Sequence, residues 1–339
     1  MTEPHSVAEI WRGSVLECTH RAHVVVAEHG MGAGGHGAGI RQSWGDPTAQ
    51  ILPRSSCKMV QALPLVASGA ADTAGLSPRH LALACASHSG ADIHIDLVAD
   101  WLKDLGLDQD HFRCGAHMPR DKAVHDRLIR ADQPPGQIHN NCSGKHTGFL
   151  TLTQHLKAGP EYIDIDHPVQ ASVRDAFCEL TGADGDTWAV DGCSAPNFAC
   201  TVEGLARAMA WFATAGTRSD GLSAAAARLT QAMMAHPELV AGEDRACTDL
   251  MRAMEGRAAI KTGAEGVFVA ILPGKGLGVA VKAVDGATRA AEIAIAAVLV
   301  QLGVLNADHP ATRKYMSPTI TNWRGIDTGF MRPAPGFPA

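Results

Sequence analysis

Pro53-Arg54-Ser55-Ser56-Cys57-Lys58 stands where the chain changes character. Before it, Val15 to Glu28 is rich in β-branched residues, and after a glycine-dense stretch the chain resumes at Ile40 with Gln42 and Trp44, the pattern of a β-hairpin. After it, Met59, Ala62, Leu63 and Val66 recur at the spacing of one apolar helix face. Pro64 within that face predicts a kinked or divided helix. The hexapeptide thus joins strand to helix. Its S-x-x-K puts the Ser55 hydroxyl and the Lys58 amine on one helical face, about 5 to 6 Å apart at Cβ. An uncharged lysine so placed takes the serine proton, and the helix start favours negative charge on the serine oxygen. S-x-x-K alone is a weak pattern, and a serine there serves equally as a helix cap.

Further along, Lys261-Thr262-Gly263 precedes Gly266 to Leu272, which alternates like a strand and is followed by the turn Pro273-Gly274-Lys275-Gly276 and a second strand, Leu277 to Val284. S-x-x-K first and K-T-G last is the order of the serine β-lactamase and penicillin-binding set. Gly263, lacking a side chain, would let a substrate backbone lie against the strand edge. An Ala-rich helix follows Asp285-Gly286 to about Leu302. Between the two motifs, Pro168 to Leu180, Val202 to Ala213, Ser223 to Ala235 and Asp244 to Met254 read as helices. Leu81 to Ala86 fits a buried strand or a buried helix, and periodicity does not arbitrate. The expected fold class is α+β: an antiparallel sheet from both chain ends (residues 10–54 with 256–308), a helix-rich segment between (55–255), and a tail from His309 read as a surface strap (309–339).

Two polar segments complete the chemistry. In Ala86-Ser87-His88-Ser89-Gly90 a hydroxyl pair around a histidine can relay protons or bond a substrate, although a polar turn explains it too. Asn140-Asn141-Cys142-Ser143-Gly144-Lys145-His146, with Asp191-Gly192-Cys193 further on, reads as a loop entering a helix and suited to a carboxylate or carbonyl oxygen. Cys142 and Cys193 are candidate zinc thiolates, but no C-x-x-C is present and two buried free cysteines is the plainer reading. His20, His36, His94 and His236 form no H-E-x-x-H and receive no catalytic role. A G-x-G-x-x-G at Gly30, Gly32 and Gly35 is followed by no helical pattern, so it reads as a hairpin tip.

Composition bounds the class. The chain has 339 residues, 46% hydrophobic and 19% charged, with a net charge of -6, which is enough for a sizeable core and gives no basic footprint for nucleic acid or anionic lipid. The nine cysteines are odd in number and scattered, and the first residues lack a signal-peptide pattern, so a reduced, cytoplasmic protein is expected. The longest apolar stretch, Ala290 to Leu305, holds Glu292 and Gln301 and falls short of the roughly 18 to 20 apolar residues of a bilayer span. A small-molecule enzyme leads the alternatives.

Eight blocks in order carry a resemblance: Arg12-Gly13 with Glu17 and His20, PRSSCK at Pro53 to Lys58, QALPL at Gln61 to Leu65, LALACASHSG at Leu81 to Gly90, HNNCSGKH at His139 to His146, DGCSAPNF at Asp191 to Phe198, HPELVAG at His236 to Gly242 and KTGAEGVF at Lys261 to Phe268. Together, from about Arg12 to Leu305, they resemble the asparaginase II family of the rhizobial type. The resemblance implies a fold similar to glutaminases and serine β-lactamases, and hydrolysis of L-asparagine to L-aspartate and ammonia. It implies two catalytic Ser-Lys tandems, Ser55 with Lys58 and Ser87 with Lys261, and a zinc site on Cys142, Lys145 and Cys193 that aids substrate binding. Asn141, His146, Asp191 and Gly263 become candidate substrate contacts, and a homodimer is expected. Cys57, Ser194 and Thr262 depart from the family's usual small residues. The rival classes are a penicillin-recognising serine acyl transferase and a non-catalytic protein binding an amino acid or metal.

Overall fold

The structure, a computed structural model, describes residues 2–29 and 38–338. The glycine motif at Gly30, Gly32 and Gly35, and His36, lie outside the described residues. The chain divides into two compact units: Met1–Ser56 with Cys200–Thr214 and Asp249–Ala339, and Cys57–Ala199 with Ala215–Thr248.

The first unit holds an antiparallel sheet of eight strands: β1 (His5–Arg12), β2 (Val15–His29), β3 (Ala38–Trp44), β4 (Ala259–Thr262), β5 (Val267–Leu272), β6 (Leu277–Ala283), β7 (Thr319–Thr321) and β8 (Asp327–Pro333). Their order is β7-β8-β1-β2-β6-β5-β4, with β3 also paired to β2, so both chain ends build one α+β sheet as expected. Long β2 is shared along its length: Val15–Ala22 ladders on β1, while Val24–His29 pairs β3. Val24, Val25 and Val26 are all fully buried, and since successive residues of a strand face opposite ways, both faces are covered there. The β-branched run is thus the sign of a buried central strand and not of an alternating surface one. Helices Val202–Ala213 and Thr288–Gln301 both lie against β6 within this unit.

The tail corrects the expectation of a strap. Residues 319–333 form β7 and β8, and β8 pairs β1 from Ala8↔Pro333 to Arg12↔Gly329. Trp11 stacks on Phe330 with ring centroids 6.1 Å apart, and Arg332 reaches Glu9 at 2.8 Å. Short strands with half-exposed residues leave little alternation to read. Sequence reading likewise missed β1, which carries the same weak pattern.

In the second unit Pro64 does divide its helix, into Lys58–Gln61 and Leu63–Ala67. Leu81 to Ala86 resolves as the end of a helix, Pro78–Ala84. Helix Ser143–His155 is buried from Ser143 to Thr153 despite its polar sequence. Its hydroxyls explain this, because Thr147, Thr151 and Thr153 each donate to the carbonyl four residues earlier, at 2.8 to 2.9 Å. Among the described residues no helix is long and apolar enough to cross a membrane.

A strap is dispensable, whereas a paired strand is not. Deleting residues 318–339 removes the five register pairs between β1 and β8, and at a few tenths to 1 kcal/mol each this costs roughly 3 kcal/mol of stability. Urea denaturation checks it; an unchanged midpoint would restore the strap.

Candidate active site

Ser55 sits in a 3-10 turn, Arg54–Cys57, that runs directly into helix Lys58–Gln61, so the S-x-x-K lies on a continuous helical stretch. Arg54 carries a positive φ of 53°, a costly backbone for a non-glycine residue just ahead of the serine. The neighbouring serines differ: Ser56 is fully buried and its hydroxyl donates to the Pro53 carbonyl at 2.7 Å, whereas Ser55 is half-buried. Of the two serines, Ser55 is the more exposed. In the same unit β4 is a sheet edge, carrying Lys261 opposite Val269 and Thr262 opposite Phe268. Lys261 is fully buried, with its amine donating to the Thr262 carbonyl at 2.8 Å. Gly263 is needed for a reason the sequence did not give. A Cβ there would come within 2.7 Å of the Pro53 oxygen and 3.1 Å of the Ser56 nitrogen, so the K-T-G glycine admits the turn that carries Ser55.

In the second unit Lys58 is 1% exposed. Its amine donates to the Ala86 carbonyl, to Ser87 Oγ at 3.1 Å and to Cys142 Sγ at 3.1 Å, and none of the three is a carboxylate. Two helix ends bring these partners in: Ser87 follows helix Pro78–Ala84, and Cys142 caps helix Ser143–His155. The helices touch so closely that a Cβ on Gly144 would lie 2.5 Å from the Leu83 oxygen.

Beside this cluster lies a second. Strands Trp188–Val190 and Pro196–Phe198 pair as a hairpin whose loop presents Asp191 and Cys193. Lys145 Nζ donates to Cys193 Sγ at 3.0 Å, and the Cys193 sulfur is 3.2 Å from an Asp191 carboxylate oxygen. Asn141 Oδ1 lies 3.0 Å from the Cys142 sulfur. His146 is fully buried, with Nδ1 2.8 Å from the Tyr162 hydroxyl, which in turn accepts the Arg113 N–H at 2.7 Å. A hydrogen bond from the Cys142 thiol, reinforced by the Lys145 charge against the cost of burial, holds the Cys193 thiol well below the usual thiol range and favours its thiolate. Cys142 moves the opposite way, pushed up first by that bond and then by burial. Burial alone would lower the Lys145 amine, but Cys193, then Cys142 and Asp191, outweigh it and raise it above the usual lysine range. Burial also lowers His146, with the Cys193 sulfur opposing.

This second cluster fits a metal ion. Cys142 Sγ, Cys193 Sγ and an Asp191 oxygen lie within 4.8 Å of one another, a set of two soft sulfurs and a carboxylate that suits zinc. A thiolate and a carboxylate 3.2 Å apart need a cation or a proton between them, and here Lys145 supplies charge. Sequence reading had placed Asp191 among substrate contacts and Lys145 among ligands. In this geometry the Asp191 carboxylate lies with the two sulfurs in the group that could hold an ion, and the Lys145 amine would have to lose its proton to join it. Tyr162 was missed altogether, since no spacing links it to the motifs. Volume does not mark the site: a cavity of about 610 Å³ lined by Leu102, Leu107, Leu128, Pro135 and Ile138 holds none of these clusters.

The fold is similar to the crystal structure of Mglu in its tris and glutamate form, with a TM-score of 0.51 at 15% identity over 91% of this chain and 64% of that one. The chain therefore spans just under two thirds of the Mglu chain. It is also similar to a β-lactamase from Mycobacterium bovis, with a TM-score of 0.43 at 16% identity over 84% and 95% of the two chains. A search of curated proteins gives no match. Residues 8–333 match the L-asparaginase II family, and the chain belongs to that family.

A thiolate in the metal-free protein gives a direct check. At neutral pH the ultraviolet thiolate absorbance should correspond to about one of the nine thiols. It should vanish in Cys193→Ser and appear only at higher pH in Cys142→Ala, which removes the main cause of the lowered value. A spectrum with no thiolate in the parent protein would refute the assignment.

Proposed function

We propose that the chain hydrolyses L-asparagine to L-aspartate and ammonia through a serine activated by lysine. The observation that carries the reading is family membership over residues 8–333, joined to a half-buried Ser55 one helical turn before the buried Lys58. Ser55 Oγ attacks the side-chain amide carbon as Lys58 takes its proton, and amide N–H groups at the helical start hold the oxyanion. The C–N bond breaks and the nitrogen leaves as ammonia after receiving a proton. Water then attacks the β-aspartyl ester, releasing aspartate and restoring Ser55. Ser87 and Lys261 pass protons in these steps. Zinc, when bound by Cys142 and Cys193 with Asp191 or Lys145, supplies a positive charge for recognising substrate. Asn141 stands beside that site. A cytoplasmic homodimer completes the proposal.

A second reading exchanges the serines. Lys58 Nζ is 3.1 Å from Ser87 Oγ, which favours Ser87 as a nucleophile using the same base. The two differ in which serine is indispensable.

Purified protein should release ammonia from asparagine, and Ser55→Ala or Lys58→Met should lower kcat by about a thousandfold or more with the fold intact, while Ser87→Ala leaves measurable turnover. The reverse ranking of the serines would establish the second reading, and turnover of a penicillin with none of asparagine would end both. An amine is a base only when uncharged, so kcat should rise into the alkaline range. An acid-peaked profile contradicts a lysine base.

A further inference from the structure

Ser87-His88-Ser89 contains a histidine for which the reaction scheme has no use. His88 is 1% exposed and ties two loops together. Its backbone N–H donates to the Asn141 carbonyl at 3.1 Å, and its ring Nε2 lies 3.0 Å from Ser143 Oγ. Nδ1 accepts the Gly90 N–H at 3.2 Å, which assigns the ring proton to Nε2 and makes Ser143 the acceptor. The ring stacks on His94, with centroids 4.8 Å apart and planes 12° from parallel, and His94 is held by the Glu238 carbonyl at 2.9 Å. Burial, then His94 and Lys58, keep the His88 ring uncharged.

The position of this bond gives it meaning. Ser87 precedes His88, Cys142 precedes Ser143, and both Ser87 Oγ and Cys142 Sγ lie 3.1 Å from Lys58 Nζ. Lys58, Ser87, His88, Ser143 and Cys142 therefore close a ring of contacts, in which the His88 to Ser143 bond is the side opposite the amine. If that side opens, the His88 N–H bond to the Asn141 carbonyl is left to join the two loops there, and the hydroxyl and the thiol are freer to move apart about the amine. We propose that His88 is a positioning residue whose Nε2–H bond to Ser143 fixes the separation of Ser87 and Cys142 about the Lys58 amine. Its effect on turnover rests on the asparaginase reading, while its effect on the loops does not.

Substitutions separate the two ring nitrogens. Asparagine can replace only the Nδ1 acceptor facing Gly90, whereas glutamine can replace the Nε2 donor facing Ser143. His88→Asn and Ser143→Ala should each lower kcat by about tenfold, the effect of one hydrogen bond lost from a preorganised site, with KM within about twofold. His88→Gln should stay within about threefold of the parent. The double substitution His88→Asn with Ser143→Ala should be no worse than either alone, since both remove one bond. Hydrogen–deuterium exchange reads the clamp without asparagine: peptides covering residues 87–90 and 140–143 should exchange faster in His88→Asn and Ser143→Ala but not in His88→Gln. Parent-like exchange in folded His88→Asn, or equal impairment in His88→Gln, would overturn the proposal and leave the ring as packing against His94. If the parent releases no ammonia, the asparaginase reading fails and the exchange data still decide the clamp.

Discussion

A lysine amine removed from water organises this chain. Lys58 is 1% exposed, and each of its bonded partners lies on a different segment from its own: the Ala86 carbonyl, Ser87 and Cys142. A polar group removed from water must have its hydrogen bonds satisfied or it costs a few kcal/mol. The end of helix Pro78–Ala84 and the start of helix Ser143–His155 are therefore held where they supply acceptors, and the tight contact at Gly144 is the packing consequence. The residues that satisfy the lysine also carry a hydroxyl and a thiol, so one constraint serves both stability and chemistry.

The thiol cluster extends the same logic. Cys142 faces Lys58 on one side and Cys193 on the other, and Lys145 and Asp191 complete a group of alternating charge. Such a group is compact and electrically balanced without a metal, and two sulfurs with a carboxylate are ready to receive one. Tyr162 and His146 stand behind Cys193 and give the cluster a hydrogen-bonded backing.

Much of the fold was legible, and the exceptions have causes. The Val24–Val26 run announced itself by its unbroken β-branched sequence, the turn before Leu277 by its Gly and Pro, and the helices at 168–181 and 202–213 by the punctuation that bounds them. Helix Ser143–His155 was read only at its entry, since it is buried almost all round and its polar residues satisfy themselves along the helix. The tail strands hid because they are short and half-exposed. At the site, spacing picked out Ser55 with Lys58 because they are local. It could not foresee that Lys58 would bond Cys142, 84 residues away, or that Ser56 would be fully buried with its hydroxyl on the Pro53 carbonyl while Ser55 stayed half-buried. Gly263 was singled out for a substrate's sake, and the sequence did not show its second constraint, the close approach of the Ser55 turn.

Covalent chemistry at one named oxygen is the core of this account, and trapping the adduct tests it most directly. Protein quenched in acid during asparagine turnover and digested for peptide mass spectrometry should carry a β-aspartyl ester on the peptide containing Ser55. An ester on Ser87, or rapid turnover with no adduct on any serine, would contradict it.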